Sequence, residues 1–207
     1  MLLGGVNIAF AEESGGFVGI GIGGGGTQLH SKGYDTQYDW NWNDKTNFSG
    51  VSYGFVAGYK QFFNDYLGLR YYANLDIQHT NKNDMVLSGN VVLPKINILL
   101  INYGANVDFL GNFVVTDIAD FGGFIGFGIG ANTLTNNKGI IDNSITNFDV
   151  WLNLGLRTNI AKYHGLEVVA KVPFLPVKMW EYTIDTEKDK TTFGQKYSIL
   201  ARYTFSF

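Results

Sequence analysis

Three histidines, His30, His79 and His164, are the only side chains in this 207-residue chain whose ordinary titration range suits acid-base work near neutral pH. His79 lies three residues after Asp76, so a base and a carboxylate for a hydrolase or acyltransferase could be assembled from them, with His30 as a second base. A triad also needs a nucleophile, and no Ser or Thr is singled out by spacing, while Cys is absent. No catalytic residue is assigned, and the chain is read as a non-enzyme. Asp35, Asp39 and Asp44 lack the spacing of a calcium loop, and without thiolates no metal site is assigned. The run "GIGIGGGG" contains a G-x-G-x-x-G match beginning at Gly19. A dinucleotide site requires a helix after that match, and no helical pattern follows it, so its glycines are read as small residues in a crowded strand and no cofactor is expected.

Composition removes other classes. The net charge of −3 and the absence of a Lys/Arg cluster argue against a nucleic-acid partner. Charged residues make up only 16% while aromatics reach 15% and Gly numbers 27, a balance that favours β-structure. No run of 18 apolar residues exists, so no transmembrane helix is expected, although that test is blind to strands.

Strict alternation recurs about eight times, the smallest strand number of single-chain outer-membrane barrels. Val18, Ile20 and Ile22 alternate with glycines over residues 16–29. Over 51–63, Tyr53, Phe55 and Tyr59 oppose Ser52, Gly54 and Lys60. Over 67–79, Leu69, Tyr71 and Leu75 oppose Arg70, Asn74 and Asp76. The segments 97–109, 123–134, 148–160, 165–174 and 196–207 repeat the pattern. Connections near 64–66 and 161–163 are short and that near 111–121 is moderate, whereas 30–50, 80–96, 135–147 and 175–195 are long and polar. Short turns at one end and longer loops at the other predict an all-β fold, an eight-stranded antiparallel transmembrane β-barrel with periplasmic turns and extracellular loops, in the cell outer membrane.

Alternation alone does not say which face is inside, since a soluble barrel has the same period. Here the polar face is rich in Gly, Asn and Ser with few charges, unlike a Lys/Glu surface, and is read as the lumen. Its charged set is Lys60, Arg70, Arg157, Lys171 and Arg202 against Asp76, Asp108, Asp149 and Glu167. In so narrow a barrel these nearly balanced charges are expected to pair as a plug, with Trp151 adding bulk. The apolar face faces lipid and carries aromatics towards strand ends. Centring the 148–174 hairpin on Lys162 predicts Arg157 opposite Glu167, Asn153 opposite Lys171, Leu156 opposite Val168 and Leu154 opposite Ala170.

Several blocks in one order, "GLRYYANLDIQHTN", "NYGANVDFLGNF", "FGGFIGFGIGANT", "NLGLRTNIAKYHGLEVVAKVP" and "YSILARYTFSF", resemble the Helicobacter outer membrane protein family over roughly residues 67–207. The resemblance implies an outer-membrane barrel in a family whose large members include adhesins and porin-like proteins. This chain lacks the long extracellular domain and cysteine pairs of the large adhesins, so adhesion does not follow from the barrel alone. The outward row Tyr203, Phe205 and Phe207 resembles the signal by which the barrel-assembly machinery takes up its clients.

The start "MLLGGVNIAFAEES" reads as a signal-peptide remnant over 1–11, with the barrel occupying 12–207. Within the first polar connection, Tyr38, Trp40 and Trp42 lie among acidic residues and could meet a ligand, or pack on the barrel rim. The expected role is structural or surface-interacting (adhesin-like), through the extracellular loops. The alternative is a narrow porin-like channel, and an outer-membrane enzyme comes third. The expected partners are outer-membrane lipid, the barrel-assembly machinery, and a host or cell-surface ligand of unidentified chemistry.

Overall fold

The computed structural model describes residues 13–35, 39–82, 85–87, 91–93, 96–136, 144–184 and 187–207. The segment 1–11 lies outside the described residues, as does Tyr38. The strands are β1 (Gly15–Asp35), β2 (Trp40–Phe62), β3 (Leu67–Lys82), β4 (Met85–Leu87), β5 (Val91–Leu93), β6 (Ile96–Val115), β7 (Ala119–Asn136), β8 (Ile145–Ile160), β9 (His164–Pro173), β10 (Val177–Ile184) and β11 (Glu187–Ser206). All pairings are antiparallel, in the order β1-β2-β3-β6-β7-β8-β9-β11-β10, and β1 also pairs with β11. Eight strands therefore close into a ring, while β10 adds to the upper part of β11 and β4 pairs only with β5. Closure leaves no sheet edge in the hydrocarbon layer, where an unpaired backbone group would be costly.

Period-two alternation fixes the faces. Outward, Ile20, Ile22, Phe55, Phe127, Leu156 and Val168 are exposed, whereas inward neighbours such as Arg70, Asp108, Asn153 and Thr204 are buried. A polar, buried interior and an apolar, exposed exterior reverse the soluble arrangement, as lipid solvation requires. On β8 and β9 the observed partners are Arg157 with Glu167, Asn153 with Lys171, Leu156 with Val168 and Leu154 with Ala170, the register expected from the turn centre. The turn between them holds Ala161 and Lys162 at positive φ (50° and 68°), a tight reversal that ends both strands together. Lys162 also pairs with Glu13 at 2.8 Å, tying the start of the described chain to the periplasmic end.

The connections differ from the sequence reading in two respects. Much of 30–50 and 175–195, read as loop, is strand: β1 and β2 continue their ladder to Asp35 and Trp40, and β11 begins at Glu187. The reason is that beyond the apolar belt the outward face meets water, so the apolar half of the alternation vanishes while the backbone ladder persists. Gln28 donating to Asn47 (2.8 Å) and the His30–Asn43 bond (2.7 Å) are cross-strand pairs of that kind. At about 3.3 Å per residue and about 40° of tilt, the 21 residues of β1 reach roughly 50 Å along the membrane normal, about twice the apolar band. The connection 111–121 is shorter than expected, because β6 runs to Val115 and β7 starts at Ala119.

Candidate functional site

The lumen is layered. At the outer mouth Phe48, Leu100, Leu134 and Phe193 form an apolar cluster, backed by Leu29, Ile98 and Ile145. These residues come from six strands, and the two phenylalanine rings lie 6.0 Å apart. The sequence reading gave the lumen as polar, and this layer corrects it. Leu100 and Leu134 share parity with Asn102 and Asn132, so alternation could have revealed them. Phe48 and Phe193 lay in segments read as loop.

Below the cluster sits a belt of amides. Asn132 donates to Asp149, Asn102 donates to Asn132 (2.9 Å), and Asn74 donates to Asn102 (2.9 Å) and Asp76 (3.0 Å). Lys171 reaches across from β9 to donate to Asp76 and to Asn102 (2.8 Å), with its ammonium 4.6 Å from the Trp151 ring centre. Trp151 itself is fully buried and donates its indole N–H to Asn106 Oδ1 at 2.7 Å. Its ring lies over Gly104, Gly128 and Gly130, where any side chain would collide with it. Gly128 and Gly130 of "FGGFIGFGIG", with Gly104, therefore leave the space into which one tryptophan packs.

The lowest layer holds the remaining charges. Arg70 donates to Asp108 Oδ2 (2.7 and 3.2 Å) and to Glu167 Oε1 (2.5 Å), while its guanidinium stacks between the rings of Phe124, Tyr72 and Phe17 at 4.5, 5.0 and 5.6 Å. Arg202, the cross-strand partner of Glu167, lies 3.5 Å from its other oxygen. Asn153 donates to Asn106, Tyr72 Oη and Asp108. Lys60 donates to Ser206 at 3.0 Å, and Arg157 stands 5.5 Å over the Phe62 ring. Among them Leu110, Phe124 and Val169 form a second apolar cluster.

All nine charged residues of the sequence-derived set, Lys60, Arg70, Asp76, Asp108, Asp149, Arg157, Glu167, Lys171 and Arg202, are buried inside the barrel. The ring order sets β3 and β9 four strands apart, on opposite walls. Arg70 to Glu167 and Lys171 to Asp76 consequently span the full diameter. Asp149 does different work: its carboxylate accepts the backbone N–H of Leu175 at 3.0 Å, holding the chain where β9 ends.

The other candidates separate. Asp76 is buried in the lumen, whereas His79, three positions on, is exposed on the opposite face of β3, so the two do not form a dyad. Gly19 lies in β1 with no helix after it. His164 bonds Tyr203 Oη at 2.7 Å at the periplasmic rim. Trp40 begins β2, and the Trp42 ring lies against its cross-strand partner Gly33, on the barrel wall. Tyr203, Phe205 and Phe207 form an exposed outward row.

Two solved structures share this architecture. Neisserial surface protein A matches with a TM-score of 0.52 and 15% identity over 95% of this chain and 100% of its own. The outer membrane protein OprG from Pseudomonas aeruginosa matches with a TM-score of 0.57 and 13% identity over 95% and 98%. A comparison with curated protein sequences finds none that matches. At such identities the structures speak for the fold alone. The family model for Helicobacter outer membrane protein matches residues 54–207, every strand from the middle of β2 onward. With its closed eight-stranded ring, polar buried interior and apolar exterior, the chain belongs to the Helicobacter outer membrane protein family and is an integral barrel of the outer membrane.

Proposed function

We propose that this barrel is a closed-lumen surface protein, structural or adhesin-like, working through the paired strands it raises above the membrane rather than by passing solutes. The observation that carries this reading is the pair of ion pairs spanning the lumen diameter, Arg70–Glu167 and Lys171–Asp76. The apolar layer of Phe48, Leu100, Leu134 and Phe193 above them adds a second barrier. Eight strands leave room only for side chains, and these side chains bond across all of it. The β1–β2 and β10–β11 ladders extend outward and offer a broad wall for contact. Replacing residues 29–46 by a two-residue Asn-Gly turn should leave a folded, heat-modifiable barrel and abolish attachment of the bacterium to its host-cell surface; unchanged attachment would remove this hairpin from the role.

We infer further that residues 1–11 act as a removed targeting segment, and that Tyr203, Phe205 and Phe207 are offered to the barrel-assembly machinery. The support for the latter is that all three project outward, with Phe205 stacked 6.4 Å from Tyr163.

A further inference from the structure

Among the described residues, several cations of the outer wall share one face. Even-numbered residues of β1 point outward without interruption from Val18 upward, so above Ile20 and Ile22 the same column presents Gln28, His30 and Lys32. Lys45 stands opposite His30 on β2, and Lys190 stands opposite Lys32 on β11. Lys196 is the extra residue of a bulge in β11, between Gln195 and Tyr197. It is exposed beside Tyr197, the outward aromatic at the top of the lipid-facing row Ile199, Ala201 and Tyr203.

Lys32, Lys45 and Lys196 make no ion pair among the described residues. Lys190 has Glu181 of β10 opposite it in register, so the case rests on the other three. Asp39, at the tip, accepts a hydrogen bond from Tyr34 at 2.9 Å. A crevice of about 130 Å³ adjoins Lys196, bounded by Gln28, His30, Thr192, Gln195 and Pro176, about four water volumes.

Height identifies the occupant. Lys196 is at the aromatic level itself, and Lys32 lies six residues up β1 from Gly26, the partner of Tyr197, roughly 15 Å higher along the normal. That interval is the headgroup zone, and the wall faces sideways into it. We propose that the outward wall of β2, β1 and β11 above the apolar belt, with Lys32, Lys45 and Lys196, binds the phosphates of the phosphorylated glycolipid that forms the outer leaflet. Its acyl chains would lie along Ile20, Ile22, Val51 and Ile199 below, continuous with the lysines on the same strands. A sulfated polysaccharide from solution would favour lysines at the tip instead of against the lipid.

The test uses the full chain refolded in neutral detergent, with binding of diphosphoryl lipid A followed by thermophoresis. Removing one lysine should weaken binding about fivefold and the triple variant K32Q/K45Q/K196Q about a hundredfold. Dephosphorylated lipid A should bind the wild type as weakly as the diphosphoryl form binds the triple variant, and the periplasmic variant K162Q should bind like wild type. Heat-modifiability confirms that each variant is folded, and the single variants serve if the triple one is not. Equal binding of wild type and folded variants would overturn the proposal. So would competition by inorganic phosphate at equal phosphate concentration, or tight binding of heparin oligosaccharide with none of lipid A.

Discussion

Replacing Glu167 by Gln tests the lowest lumen layer, because that carboxylate is shared. Among the described residues the layer holds four cations, Lys60, Arg70, Arg157 and Arg202, against Asp108 and Glu167, all buried. Gln keeps the volume and removes one of the two negative charges, so the excess of positive charge rises from two to three. Arg70 keeps its bonds to Asp108 but loses the ionic one across the lumen, and Arg202 loses the carboxylate at 3.5 Å. Breaking a buried pair from one side costs about 3–5 kcal/mol, since the surviving charge stays desolvated. The double variant E167Q/R202M removes a cation with the anion and restores the original excess. It should be more stable than E167Q alone by about 1 kcal/mol or more, a coupling within the range for residues in contact. Urea unfolding in phospholipid vesicles, followed by tryptophan fluorescence and checked by heat-modifiable gel migration, measures both. A loss below about 1 kcal/mol for E167Q, or simple additivity in the double variant, would refute the shared-carboxylate reasoning.

Three further outcomes are expected. Leu154→Arg, outward on β8, should cost about 2–4 kcal/mol, while Ser49→Arg, outward beside the aromatic level, should cost about 0–1 kcal/mol; equal losses in vesicle unfolding would undo the face and depth assignment. Gly128→Val should destabilise by about 1–3 kcal/mol through collision with Trp151, and the loss should shrink when Trp151 is first replaced by Gly, so additive losses in the double-variant cycle would place the indole elsewhere. Phe207→Ala should lower the amount reaching the outer membrane well before it alters the urea midpoint of refolded protein, and normal outer-membrane levels would contradict an assembly role.

The parts of the fold that touch lipid were legible because lipid enforces a binary choice at every residue. Leu69, Tyr71 and Leu75 against Arg70, Asn74 and Asp76 could be assigned to faces by parity, and the Lys162-centred hairpin followed from turn length. Above the membrane the outward face meets water as well, the apolar half of the pattern disappears, and the strand character of residues 30–35 and 187–195 was hidden. Inside, parity identified which residues enter the lumen but not which meet there. Glu167 stands opposite Arg157 along the sheet, yet Arg70, 97 residues away in sequence, donates to it across the barrel. Such contacts depend on closure, on which strands become opposite walls. The role of Gly128 and Gly130 was likewise hidden, since the indole that fills their space belongs to the neighbouring strand.

The closed lumen is tested most directly by conductance. Purified, refolded protein should insert into a planar lipid bilayer and give no steady single-channel current at moderate voltage in molar salt. The doubly cleared variant W151G/E167Q should show current if it folds, because it removes the indole and one diametric ion pair. A reproducible open-channel conductance from the wild-type barrel, lost when a lumen glycine is replaced by a bulkier residue, would contradict the plug and assign the protein a pore.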